Sequence, residues 1–289
     1  METLGYAPHV GARAMKTRRT NTIGVVVADL SNPFFTELLH QLTLLLDDAG
    51  QRVVVWNSSS VNHKDALRAI SNSAIDGVVF STATPASVEL AAAVERRSPV
   101  VLINREVRDL SCDRVVSDNV TGAADVADLF VQHGRVNAAF IGGLASASTS
   151  QDRERGFLER MDALGWPVPE HLRFHGDFSH DTARQIVDSL LSRSHRPSAI
   201  FCVNDFTAFG ALDACQARAV TPEECWVAGY DDVQMASWDS FSLTSVRQPI
   251  KELAAVGVEM LLQRIADPSL PPRRRRFPAA LIVRGSTPI

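Results

Sequence analysis

The stretch Ile23-Gly24-Val25-Val26-Val27-Ala28, followed by Asp29-Leu30-Ser31-Asn32-Pro33-Phe34-Phe35 and an amphipathic run that ends at Gly50, decides the fold class. A short apolar run rich in β-branched residues predicts a strand buried on both faces, as in a sheet with helices on each side. Asn32 is placed to cap a helix, Pro33 to occupy its first position and Gly50 to stop it, so a strand over Ile23 to Ala28 and a helix over Pro33 to Ala49 are predicted.

The alternation continues outward. Strands are predicted at Val53 to Trp56, Gly77 to Phe80 and Val100 to Asn104, with helices over His63 to Ser73 and Pro85 to Arg96. Val115 to Ser117 and a helix over Asn119 to His133 follow. A second series has strands at Ala138 to Gly142, Leu172 to His175, Ala199 to Val203 and Trp226 to Ala228. Its helices run over Gln151 to Gly165, His180 to Ser194 and Asp205 to Arg218. A helix over Pro249 to Ile265, a proline-bearing connector and a strand near Ala280 to Arg284 close the chain. This is an α/β protein of two doubly wound, parallel-sheet lobes.

Its 289 residues fit two such domains. With 45% hydrophobic and 21% charged residues it has the composition of a soluble globule. The net charge of −4 hides an asymmetry: in residues 1–20, Arg13, Lys16, Arg18 and Arg19 stand against Glu2 alone, so a basic arm precedes an acidic body. No export signal and no run of about 18 apolar residues is visible, which places the chain in the cytoplasm and away from membranes. Cys112, Cys202, Cys215 and Cys225 lack metal-ligand spacing and read as reduced thiols, with Cys202 and Cys225 in strands. Arg273 to Arg276 reads as a solvated connector rather than a nucleic-acid surface. His133, near a helix end, reads as a surface or capping residue.

There is no phosphate-binding GxxxxGK[ST] or GxGxxG, no HExxH and no GxSxG. No catalytic residue, metal site or cofactor is expected. In open α/β sheets ligands sit at the carboxyl ends of strands, so those loops matter most. They carry Phe34 and Phe35; Thr149 and Arg153; Asn204 and Asp205; and Asp231 and Asp232. An arginine near a helix start does not complement the helix dipole, so Arg153 or Arg155 there implies an acceptor-rich partner, either ligand or carboxylate. Asn204, Asp205, Asp231 and Arg153 are expected to converge with Phe34 and Phe178 between the lobes, in the manner of a polyol site. Asn204 and Asp231 read equally well as cap and turn formers.

A further set of residues carries a resemblance over essentially the whole chain. Leu4-Gly5-Tyr6-Ala7-Pro8 with Ala12-Arg13, Arg19-Thr20-Asn21-Thr22-Ile23-Gly24-Val25-Val26, Asn32-Pro33-Phe34-Phe35, Asp118-Asn119 with Gly122, Arg153 with Gly156-Phe157, Asn204-Asp205 with Ala208 and Gly210, Gly229-Tyr230-Asp231-Asp232 and Arg284-Gly285-Ser286-Thr287 resemble the lactose-repressor (LacI/GalR) family of bacterial regulators. The resemblance implies a periplasmic-binding-protein-like type I core, a homodimer, operator DNA as a partner and a small-molecule effector, a sugar or sugar derivative before a purine. It implies effector contacts at Phe34, Asp118, Thr149, Arg153, Phe178, Asn204 and Asp231. The family's DNA-reading helix-turn-helix is missing from the expected place, and a hinge of Pro8 to Lys16 remains, with Arg13, Met15 and Lys16 facing DNA and Met15 as the apolar wedge. The chain as given is therefore expected to bind operator weakly, and a sugar-binding module without DNA function is the alternative. Expected boundaries are a hinge remnant at 1–20, an N-terminal lobe of 21–134 plus 246–268, and a C-terminal lobe of 135–245 plus 269–289.

Overall fold

The structure is a computed structural model that describes residues 19–57, 68–70, 72 and 74–289. The hinge residues Arg13, Met15 and Lys16, and most of the helix expected over His63 to Ser73, lie outside the described residues. The strands are β1 (Thr22–Val27), β2 (Arg52–Asn57), β3 (Gly77–Phe80), β4 (Val100–Ile103), β5 (Asp113–Ser117), β6 (Ala138–Gly142), β7 (Arg173–His175), β8 (Ala199–Cys202), β9 (Trp226–Asp231), β10 (Thr244–Arg247), β11 (Arg274–Phe277) and β12 (Ala280–Ile282). The helices are α1 (Pro33–Asp48), α2 (Val88–Glu95), α3 (Asn119–Gln132), α4 (Ser148–Ala163), α5 (His180–Leu191), α6 (Asp205–Ala217) and α7 (Ile250–Ala266).

Two six-stranded sheets result, ordered β11-β5-β4-β3-β1-β2 and β12-β10-β9-β8-β6-β7. The two orders are the same pattern used twice. In each, the chain fills one side of its first strand and then crosses to the other, so the order reverses between β1 and β3 and again between β6 and β8. The described pairings are parallel except β10 with β12. All six residues of β1 are buried, as a strand covered on both faces requires.

The chain divides into two compact units, residues 1–30, 38–115 and 254–274, and residues 31–37, 116–253 and 275–289. These boundaries differ from the expected ones chiefly at α3. That helix belongs to the second unit because it packs along α4, where Gly156 admits it: a Cβ there would lie 2.2 Å from the Val120 carbonyl oxygen. The Gly156→Ala variant is expected to cost about 1 to 3 kcal/mol by forcing the two helices apart. Thermal denaturation measures it, and an unchanged Tm would show that the helices yield freely.

Each unit has its own core. In the first, Val26, Val78, Phe80, Leu90 and Leu102 cluster, with Trp56 and Ile75 against them. In the second, Phe130, Phe140, Phe157, Phe201 and Trp226 form a chain of ring contacts with centroids 4.9 to 6.2 Å apart. His133, at the end of α3, lies against Trp226 with centroids 5.5 Å apart and the rings tilted by 47°. The four cysteines are free and buried, and Cys225 stands one residue ahead of β9 rather than in it.

Two local expectations are corrected, and one strand, β10, was not expected. Helix α2 starts at Val88 rather than Pro85, because the Thr84 N–H donates to the Ser87 Oγ and closes a turn first. Strand β10, a short polar run, carries no apolar period. Arg273 to Arg276 is solvated as expected, with Arg274 to Arg276 exposed, but it is not a plain connector: Arg273 pairs with Asp113 at 2.8 Å, Arg274 with Glu106 at 2.9 Å, and Arg274–Phe277 forms edge strand β11.

Candidate functional site

The site is built in the second unit, at the carboxyl ends of β6, β8 and β9, where the strand order reverses. Beyond β6, the Gly143 N–H donates to the Ser150 Oγ at 3.0 Å, fixing the start of α4. Thr149 and Arg153 lie one turn apart on the buried face of that helix. The close approach at Gly156 brings α3 near enough for the Arg153 Nε to donate to the Asn119 Oδ1 at 2.8 Å. Arg153 Nη1 donates to the Val203 carbonyl at 2.8 Å, and Nη2 lies 3.2 Å from the Asp231 Oδ1. The guanidinium is stacked 3.7 Å above the Tyr230 ring, and Arg153 is only 3% exposed.

A guanidinium has five N–H donors. Two hydrogen bonds and one ion contact engage three of them here, and the others meet no described acceptor. Asp231 resembles it in this respect. Its Oδ1 takes the Gln248 Nε2 at 2.7 Å and the arginine, while its Oδ2 has no described donor. Burial pushes the Asp231 carboxyl up to about 6, with Arg153 and Gln248 holding it from rising further. Gln248 is itself fixed by Ser117, whose Oγ donates to its Oε1 at 2.5 Å.

Asn204 serves as cap and as candidate contact at once. Its Oδ1 accepts from the Thr207 N–H at 3.0 Å, a capping box closed by the Thr207 hydroxyl, while its Nδ2 donates to no described residue. Phe178, at φ +66°, lies against Gly143, where a Cβ would come within 2.3 Å of the ring. Phe34 is buried in the first turn of α1 with its N–H on the Asn32 Oδ1 at 3.1 Å.

Of the expected residues, Arg153, Asp231, Asn204 and Thr149 thus share one set of strand ends. Asp118 does not join them through its side chain: its carboxylate caps α3 by accepting from Thr121 N–H at 3.3 Å, and the adjoining Asn119 reaches Arg153 instead. Asp205 is completely buried behind the site with both oxygens engaged. Gln248, Ser117 and the Tyr230 ring escape sequence reasoning. The sequence offers no strong signal for them, since the strand that carries Gln248 to the site, β10, has no apolar period.

The comparisons with known proteins bear on what this site serves. Residues 127–287 match the Periplasmic binding protein-like domain family. The HTH-type transcriptional regulator DegA of Bacillus subtilis is 30% identical over 298 residues, spanning 99% of this chain and 87% of the relative. The HTH-type transcriptional repressor PurR of Photobacterium profundum is 27% identical over 291 residues, with the same coverage. Among solved structures, a complex of the transcriptional regulator CelR with cellobiose is similar at 25% identity and a TM-score of 0.85, covering 95% of this chain and 89% of that one. The chain belongs to the LacI family of transcriptional regulators. Its two sheets are the periplasmic-binding-protein-like, effector-binding part of a LacI-family regulator. Among the described residues, no helix of this family member is long and apolar enough to cross a membrane.

Proposed function

We propose that this chain senses a sugar or sugar derivative and relays its presence to operator DNA as a homodimer. The observation that carries the reading is the buried Arg153–Asp231 pair, in which two guanidinium N–H donors and one carboxylate oxygen meet no partner among the described residues, with the Asn204 amide N–H likewise without an acceptor among them at the end of the neighbouring strand. Adjacent donors and acceptors are what neighbouring hydroxyls on a sugar ring need, each hydroxyl being both donor and acceptor. Thr149, Phe178 and Phe34 complete the set in this reading, the rings supplying apolar faces. The cellobiose bound by CelR supports the same class. Regulation needs an effector that binds two conformations with different affinity, since equal affinity shifts nothing.

A thermal-shift panel of sugars, sugar phosphates and purines tests the proposal. A ligand at about 100 times its Kd adds about 2.7 kcal/mol, which at about 2 to 4 °C per kcal/mol is a shift of roughly 5 to 10 °C. A purine shift with no sugar shift would replace the ligand class.

A further inference from the structure

We infer that Asp205 is a positioning residue, whose buried carboxyl holds the end of β9 and the turn that follows it, Gly229 to Val233, in the one shape that presents Asp231 to Arg153. The turn is under backbone strain: Asp231 has φ +114° and Asp232 φ +53°. Such conformations cost about 1 to 3 kcal/mol each and persist only where their surroundings fix them. Here the fixing contacts are identifiable. The Asp205 Oδ2 accepts the Val233 N–H at 2.9 Å and its Oδ1 accepts the Ser245 hydroxyl at 2.5 Å. Ser245 in turn accepts the Asp232 N–H at 3.0 Å, so one carboxyl governs the amides of two successive turn residues.

The far side of the turn is tied differently. The Asp232 carboxylate pairs with Arg247 and Arg284, each at 2.6 Å. Those ties hold a side chain, whereas Asp205 holds the backbone on which Asp231 rides. Gly229 is what lets the carboxyl come so close, since a Cβ there would lie 2.3 Å from the Asp205 Oδ1. Asp205 also follows Asn204 directly. The same strand end thereby supplies one polar group to the site and, behind it, the group that sets the orientation of another. Asp205 is 0% exposed, so it touches no effector itself.

The inference rests on Asp231 being an effector contact, and the deciding experiment is therefore done without a ligand. Amide hydrogen exchange is followed by mass spectrometry on the full chain and on the Asp205→Ala and Asp205→Asn variants. In Asp205→Ala, exchange over residues 229–234 is expected to rise about tenfold or more, with the β6 segment unchanged. Asp205→Asn is expected to stay within about threefold of the unaltered chain, because an amide carbonyl still accepts from Val233. No rise in Asp205→Ala, an equal rise throughout the second unit, or failure of Asp205→Asn to rescue would each overturn the inference. Should Asp205→Ala not fold, Ser245→Ala takes its place, with about a threefold local rise expected and no rise counting against the idea. For a sugar found in the thermal-shift panel, Asp205→Ala should weaken binding about tenfold while Asp205→Asn does not. Local loosening with unaltered sugar affinity would refute a positioning role. A panel in which no sugar binds would sink the ligand class alone, leaving the exchange result to stand by itself.

Discussion

The Arg153→Ala variant is expected to bind no effector and to melt on the order of 10 °C below the unaltered chain, at about 2 to 4 °C per kcal/mol. Two losses add. The ligand loses its buried cationic donor, and the fold loses the partner of a buried carboxylate. Removing one member of a buried ion pair costs about 3 to 5 kcal/mol, because the remaining charge stays out of water. Asp231 would keep only the Gln248 amide, while the Asn119 Oδ1 and the Val203 carbonyl would each lose a donor at 2.8 Å. Lysine should not rescue the site, since an ammonium has neither the fork that reaches Asn119, Val203 and Asp231 together nor the flat face that covers Tyr230. Replacing Arg153 by Met and Asp231 by Leu together is expected to recover much of the lost stability while binding nothing, as neither member of the pair is then left buried without its partner. Calorimetry on the single and double variants separates the two effects. A melting temperature for Arg153→Ala within about 2 °C of the parent would mean that the pair is solvated and that the site is not built as described.

That pair shows how far the sequence could be read. The placement of Arg153, Asn204 and Asp231 was legible because each stands at or beyond the end of a strand whose apolar run is unmistakable, and because an arginine in the first turns of a helix opposes the helix dipole. Strand β1 and helix α1 were legible within a residue or so for the same reason: β-branched monotony followed by Asn-Pro and closed by Gly50, which has the positive φ, +70°, that its stop position favours. What was not legible depends on partners distant in sequence. Gln248 takes part only because Ser117 and Asp231, 131 and 17 residues away, meet it in space. Asp118 and Asn119 are neighbours with opposite fates, and nothing local distinguishes the one that caps α3 from the one that reaches Arg153. Strand β11 was hidden for a stronger reason. Four arginines in a row have no business in a sheet until the acids that neutralise three of them, Asp113, Glu106 and Asp118, are seen beside them.

The most demanding of those acids is Asp113, and Asp113→Asn is expected to destabilise the first unit by about 3 to 5 kcal/mol at neutral pH. Its side chain is completely buried, at the start of β5. It pairs with Arg264 at 2.9 Å and Arg273 at 2.8 Å, and accepts the Arg273 backbone N–H at 2.8 Å. One carboxylate therefore ties the last turn of α7 and the chain entering β11 to the head of β5. Arg264 extends the tie by donating to the carbonyls of Leu270 and Pro271, which gives the proline-bearing connector its path. Burial alone would push the Asp113 carboxyl up, but hydrogen bonds from Arg273 and Arg264 outweigh it and hold the group below the ordinary aspartate value. A folded-state pKa that is depressed contributes stability above the unfolded pKa, about 3.9, and loses it as pH falls through the folded value. The gap in stability between the unaltered chain and Asp113→Asn should accordingly be full at pH 7 and shrink below about pH 4, as the native carboxyl itself becomes neutral. Denaturant titrations at several pH values measure that gap. A gap that stays constant down to about pH 2 would mean that lost geometry, not lost charge, is what the substitution reports.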